Sequence, residues 1–167
     1  MTFQALLTRF KRERDTFRTR IGQLDPATAT RKSGDNSWSA AQVIGHMAMA
    51  EQFYVNRIVE GAELGLDGTP TKSLMIPMGV LVMKLGITVP NPPEMEPPAT
   101  IDLQEALQGF DSAGAAFIKW METAEDPNHQ VIAKTGMLGN VSAHQMLKMM
   151  DAHLTYHKRK LEKSGVI

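Results

Sequence analysis

Two histidines, His153 and His157, stand four residues apart in the stretch DAHLTYHKRK (151–160), inside a run otherwise rich in methionine and leucine. On a helix that spacing separates two side chains by about 40° around the axis and about 6 Å along it, so both imidazoles can reach one ion from the same side. Helical zinc sites use this spacing. Met146, Leu147, Met149, Met150, Leu154 and Leu161 wrap the same segment in apolar surface, with Asp151 and the basic run Lys158, Arg159 and Lys160 expected on the solvent side. A buried imidazole needs a partner. A third histidine, His46, lies in AAQVIGHMAMAEQ among Ile44, Met47 and Met49, beside Gly45 and alanines that let another helix come close. Its plain alternative is a core histidine satisfied by a single hydrogen bond. Taken together, three neutral imidazoles are a sufficient ligand set for a catalytic divalent metal with open positions. His129, in a Pro/Asn loop, and His144, more than two turns before His153, are assigned to surface or local capping roles.

Other chemistries find less support. The chain has no cysteine, which removes disulfides, thiolate metal sites and a cysteine nucleophile. Glu51 follows His46 by five residues and so points about 140° away from it around a helix, which leaves no evident general base. Lysine plus arginine and aspartate plus glutamate both number 18, so no global field favours nucleic acid or an anionic membrane. The basic stretches KRERDTFRTR and KRK sit beside acids or near a helix C-terminus, where cations are favoured by the dipole. The N-terminus interrupts its apolar positions with charges, unlike a signal peptide. The longest apolar run, SLMIPMGVLVMKLG (73–86), contains a proline and falls short of the roughly 20 residues of a membrane span. A soluble, cytoplasmic protein is expected.

The elements that must position the histidines are helical. Phe3, Leu6, Leu7, Phe10, Phe17, Ile21 and Leu24 recur at helical spacing, with Lys11, Arg12, Glu13 and Arg14 filling the turns between them. After the polar loop DPATATRKSGDN, Ser39 and Gln42 have the spacing of a capping box, with Trp38 placed to staple onto Val43, so a second helix starts at about residue 40. Leu103, Leu107, Phe110, Gly114, Phe117 and Met121 form the stripe of a third, capped by Asp102. Ser142 and Gln145 make a second capping box, with Val141 as staple to Met146 and Gly165 as the stop of the helix bearing His153 and His157. The expectation is a single all-α domain over 1–167, a four-helix bundle with no convincing strand. The connection from the second to the third of these helices is about 40 residues, against the 2 to 8 usual in bundles. Its first half reads as a short apolar helix and its second, VPNPPEMEPPAT, as a stiff extended strap. Residues 71–99 are expected to fold back over the histidine end, so that the run MIPMGVLVM is covered and lines a substrate pocket.

WSAAQVIGHM, with a histidine early in the second bundle helix after a Trp-Ser start, and HLTYH in the last helix together resemble the DinB-like (YfiT-like) metalloenzyme superfamily. The order of helices and the long second connection fit as well, so the resemblance spans nearly the whole chain. It implies a four-helix bundle with a divalent ion, zinc or nickel, held by His46, His153 and His157. Many relatives continue the last motif as H-R-G-Q, whereas this chain reads His157-Lys158-Arg159-Lys160, and whatever that glutamine does is not carried over. Two chemistries are implied: transfer of a low-molecular-weight thiol to an electrophilic small molecule, and hydrolysis of a small substrate. The reading adopted is a small-molecule thiol S-transferase. Its alternatives are a metal-dependent hydrolase and a non-catalytic stress-response or binding bundle. Expected partners are the small-molecule substrate and thiol, not nucleic acid or membrane, and the methionine-rich surface suits a homodimer.

Overall fold

The computed structural model describes every residue except 36, 67, 72, 73, 88–92 and 137. Four long helices form the bundle: α1 (Phe3–Gly22), α3 (Ala40–Glu63), α5 (Leu103–Glu122) and α6 (Ala143–Lys163). Two shorter ones, α2 (Pro26–Thr30) and α4 (Met75–Leu85), lie in the connections. The long helices start where their caps dictate. Asp102 accepts from the backbone N–H of Gln104 and Glu105, and both capping boxes form in full, Ser39 with Gln42 and Ser142 with Gln145. Gly165, at φ 69°, ends α6 in the left-handed region.

The apolar stripes of α1 and α5 meet in aromatic pairs. Phe10 packs edge-on to Phe117 with centroids 5.8 Å apart, and Phe17 to Phe110 at 6.4 Å. α3 packs chiefly against α5 and also meets β1. A Cβ at Gly45 would come within 2.6 Å of Ile101 Cδ1, so the close approach expected at that glycine is made by the residue just before the α5 cap.

Several parts differ from the sequence expectation. The loop after α1 contains α2, capped by Asp25, whose carboxylate accepts from the Thr28 N–H at 3.0 Å, with Pro26 at the first helical position where its missing N–H costs nothing. The segment before α6 forms an antiparallel hairpin of β1 (Val131–Thr135) and β2 (Gly139–Ser142), pairing Ala133 with Val141 and Thr135 with Gly139. Val131, Ala133 and Thr135 point inward while Lys134 is exposed, and the Ile132 carbonyl sits over α3 where a Cβ at Gly61 would approach it to 2.6 Å. Another concerns charge. Arg14, expected among the turn-filling charges, is buried in the bundle, and Asp151, expected toward solvent, is buried and ion-paired with Arg9.

Of the connection, α4 packs along α6, and Arg159 Nη1 donates to the Lys84 carbonyl at 3.3 Å. Only Ile76 of α4 is buried, and Met75, Met78, Leu81 and Leu85 are exposed, so the apolar run is not covered as expected. The proline-rich part makes a 3-10 turn at Pro93–Met95 and returns over α3. Residues 88–92 of the expected strap lie outside the described residues. Among the described residues, no helix is long and apolar enough to cross a membrane.

Candidate metal centre

The second turn of α3 and the middle of α6 bring His46, His153 and His157 together. His46 Nε2 lies 3.1 Å from His153 Nε2, and His157 Nε2 lies 3.0 Å from it. All three candidate ligand atoms fall within 4.8 Å of one another. An ion bound to two nitrogens at about 2.0–2.1 Å with tetrahedral angles holds them about 3.3 Å apart, close to the two short separations.

The protein decides which nitrogen of His46 faces inward. Its Nδ1 lies 2.8 Å from the Met95 carbonyl, an oxygen that can only accept, so Nδ1 carries the proton and the neutral ring presents a bare Nε2 to the cluster. Metal-ligating histidines are oriented in this way by an acceptor on the far ring nitrogen. Trp38, expected only as a helix staple, lies against two of the imidazoles, stacked on His157 with centroids 5.9 Å apart and tilted against His46 at 4.7 Å. Tyr156 meets His157 edge-on at 5.0 Å.

His46 and His157 are buried, and His153 keeps partial exposure. Burial, opposed by the Met95 carbonyl, lowers the pKa of His46. Burial, then the neighbouring His46, lowers His153 to about 3. His157 is held well below the ordinary histidine value by burial first, then by His153, His46 and Lys160. All three rings are therefore neutral at pH 7, the form that binds metal. A proton on His153 Nε2 could serve only one neighbour well, whereas a single cation at the centre satisfies three lone pairs. The residues fit a divalent ion.

The remaining candidates fall elsewhere. His129 Nδ1 lies 3.0 Å from Asp126 Oδ1 at the surface, and His144 Nδ1 lies 2.6 Å from Asn128 Oδ1, the local roles expected of them. Glu51 points away from His46 and receives two hydrogen bonds from Arg14, both 2.9 Å. The basic residues replacing the relatives' R-G-Q also have local partners: Lys158 Nζ bonds Glu13 at 2.8 Å, Arg159 holds the end of α4, and Lys160 lies over the Tyr156 ring.

The DinB superfamily model matches residues 9–161, from within α1 to the last turn of α6. The chain belongs to the DinB superfamily. The crystal structure of TT2238, described as a four-helix bundle protein, aligns with this DinB superfamily chain at a TM-score of 0.62 and 16% identity, covering 97% of this chain and 99% of that one. At that identity the likeness is one of fold. No curated protein matches the chain.

Proposed function

We propose that this chain is a metal-dependent enzyme that transfers a low-molecular-weight thiol to an electrophilic small molecule, with His46, His153 and His157 holding one zinc or nickel ion and residues 1–167 acting as one domain. The observation that carries the reading is the convergence of three uncharged imidazoles in a cluster that, among the described residues, includes no carboxylate. A bound dication would lower the pKa of a thiol or water so that the anionic nucleophile exists near neutral pH. The protein's own groups supply the rest. His46 is held in one tautomer by the Met95 carbonyl, and Trp38 covers two of the imidazoles. Because neutral ligands leave the ion's charge uncompensated, an incoming anion is favoured more strongly than beside carboxylates. In the transfer the thiol loses its proton to solvent, a sulfur–carbon bond forms, and the carbon's bond to its leaving group breaks with the electron pair departing on that group.

The same uncompensated charge suits hydroxide, so hydrolysis is the competing reading. Elemental analysis of protein purified without a metal-binding tag is expected to give one zinc or nickel ion per chain. The loaded protein is then offered a chlorinated aromatic or an epoxide with and without a glutathione-like thiol. Thiol-dependent turnover is expected. Product formed without thiol would mean hydrolysis, and a metal-free protein inactive with every added ion would mean a non-catalytic bundle.

A further inference from the structure

The two capping boxes are the one repeated motif in the chain, and each glutamine has an amide group that the box does not use. Gln42 Oε1 accepts the Ser39 N–H at 3.1 Å, while its Nε2 donates to the carbonyls of Pro98 at 2.9 Å and Ala99 at 3.2 Å. Gln145 Oε1 accepts the Ser142 N–H at 2.9 Å, and its Nε2 donates to the Thr71 carbonyl at 3.1 Å. Thr71 stands near the start of the connection between α3 and α5, and Pro98 and Ala99 stand near its end. A capping box is served equally by glutamate or glutamine. Only glutamine also donates.

We infer that Gln42 and Gln145 clamp the two ends of this connection, and that Gln42 is a positioning residue of the histidine cluster because its clamp keeps the Met95 carbonyl on His46. Gln42 and His46 are four apart on α3, so one helix face holds the returning strap at two points, Pro98–Ala99 and Met95. The chain between those points is short and stiff: Glu96 N–H closes the 3-10 turn onto the Pro93 carbonyl at 3.2 Å, and Pro97 and Pro98 have fixed φ. A displacement at the clamp is therefore passed to Met95 rather than absorbed. Gln42 is itself buried, 4% exposed, so no water readily replaces its amide. Thr71 has two further bonds, from its N–H to the Asn140 carbonyl at 2.8 Å and from the Asn140 N–H to its hydroxyl at 2.9 Å, so the Gln145 clamp is the redundant one.

Gln42→Glu keeps the acceptor that closes the box and turns the donor into an oxygen facing two carbonyls. Gln145→Glu makes the same change at the other end. A third variant, Pro97→Gly with Pro98→Gly, leaves both glutamines and loosens only the span between clamp and Met95. The first readout is the His46 tautomer in the metal-free protein at pH 8, from long-range nitrogen–proton NMR. The second is zinc affinity, which alone rests on the proposed metal site. Wild type and Gln145→Glu are expected to show His46 protonated at Nδ1 alone, while Gln42→Glu and the double glycine variant show a mixture. Zinc affinity is expected to fall about 10- to 100-fold in the latter two, the usual cost of losing an outer partner of a metal ligand, and to stay within about twofold in Gln145→Glu. Should Gln42→Glu fail to fold, the double glycine variant decides. Wild-type tautomer in whichever of the two variants fold overturns the inference, as does a loss in Gln145→Glu equal to that in Gln42→Glu. A wild type that binds no zinc removes the metal site and leaves the tautomer comparison to decide the clamp.

Discussion

Among the buried polar residues of helix α3, His46 and Glu51 stand five positions apart and are answered in opposite ways. Glu51 is fully buried and takes both of its hydrogen bonds from Arg14, whose guanidinium also donates to the Phe110 carbonyl and lies 3.7 Å from the centre of the Phe110 ring. A Cβ at Gly114 would sit 1.9 Å from Arg14 Cζ, so α5 leaves that space to the arginine. Every charge there is answered by another part of the chain. At His46 the outer nitrogen is answered by Met95 and the inner one faces two more imidazoles. What separates the two is therefore not burial or polarity but the kind of partner, a charge paired with a charge at Glu51 and neutral rings gathered on one another at His46.

Substitution at Glu51 should cost the most. Replacing one partner of a buried pair leaves the other charged and unanswered, so Glu51→Ala is expected to lower the unfolding free energy by about 3–5 kcal/mol in urea titrations. Arg14→Met combined with Glu51→Leu should recover most of that loss, because apolar replacement of both partners is often neutral. A loss under about 1 kcal/mol in Glu51→Ala would mean that the pair does not close this part of the core.

The histidine end should respond to what is added rather than to what is lost. At a free zinc or nickel concentration about 100 times Kd, an ion bound only by the folded state adds about 2.7 kcal/mol to its stability. That gain, read as a rise in thermal midpoint over a chelated sample, is expected in wild type and absent in His153→Ala. Metal-free His153→Ala should melt below metal-free wild type, since the Nε2 atoms of His46 and His157 lose their shared partner, so each protein's metal-induced shift is read against its own chelated sample. Equal metal-induced shifts in both proteins would place the ion elsewhere.

The same division between local and distant partners explains what the sequence revealed. The helix starts at Ser39, Asp102 and Ser142 were legible because a cap and its partner lie within three residues, and the His153–His157 pair because it lies within one turn. His46 could be picked out by its apolar neighbours. The burial of Arg14 and Asp151 is not legible in the sequence, because it depends on Glu51 and Gly114 for the one and Arg9 for the other, all distant along the chain. The hairpin is poorly marked because VIAKT offers only a short alternation, and the residues leading into Ser142 read as helix flank. The Met95 carbonyl left no mark at all, since a backbone acceptor is the same for every residue type.

The smallest expected effect comes from an ion pair that joins two of the helices linked at the Arg14 site. Lys11 on α1 and Glu122 on α5 approach to 2.7 Å, as closely as any buried pair requires, but their side chains remain 44% and 49% exposed. In water the attraction is screened and two long side chains lose freedom to maintain it, so such pairs contribute about 0–1 kcal/mol. A double-mutant cycle on Lys11→Met and Glu122→Gln is expected to give a coupling below about 1 kcal/mol that shrinks further at high salt. The Arg14–Glu51 cycle should give several times that value and change little with salt. If the two couplings were equal, proximity alone would set the strength of an ion pair in this bundle.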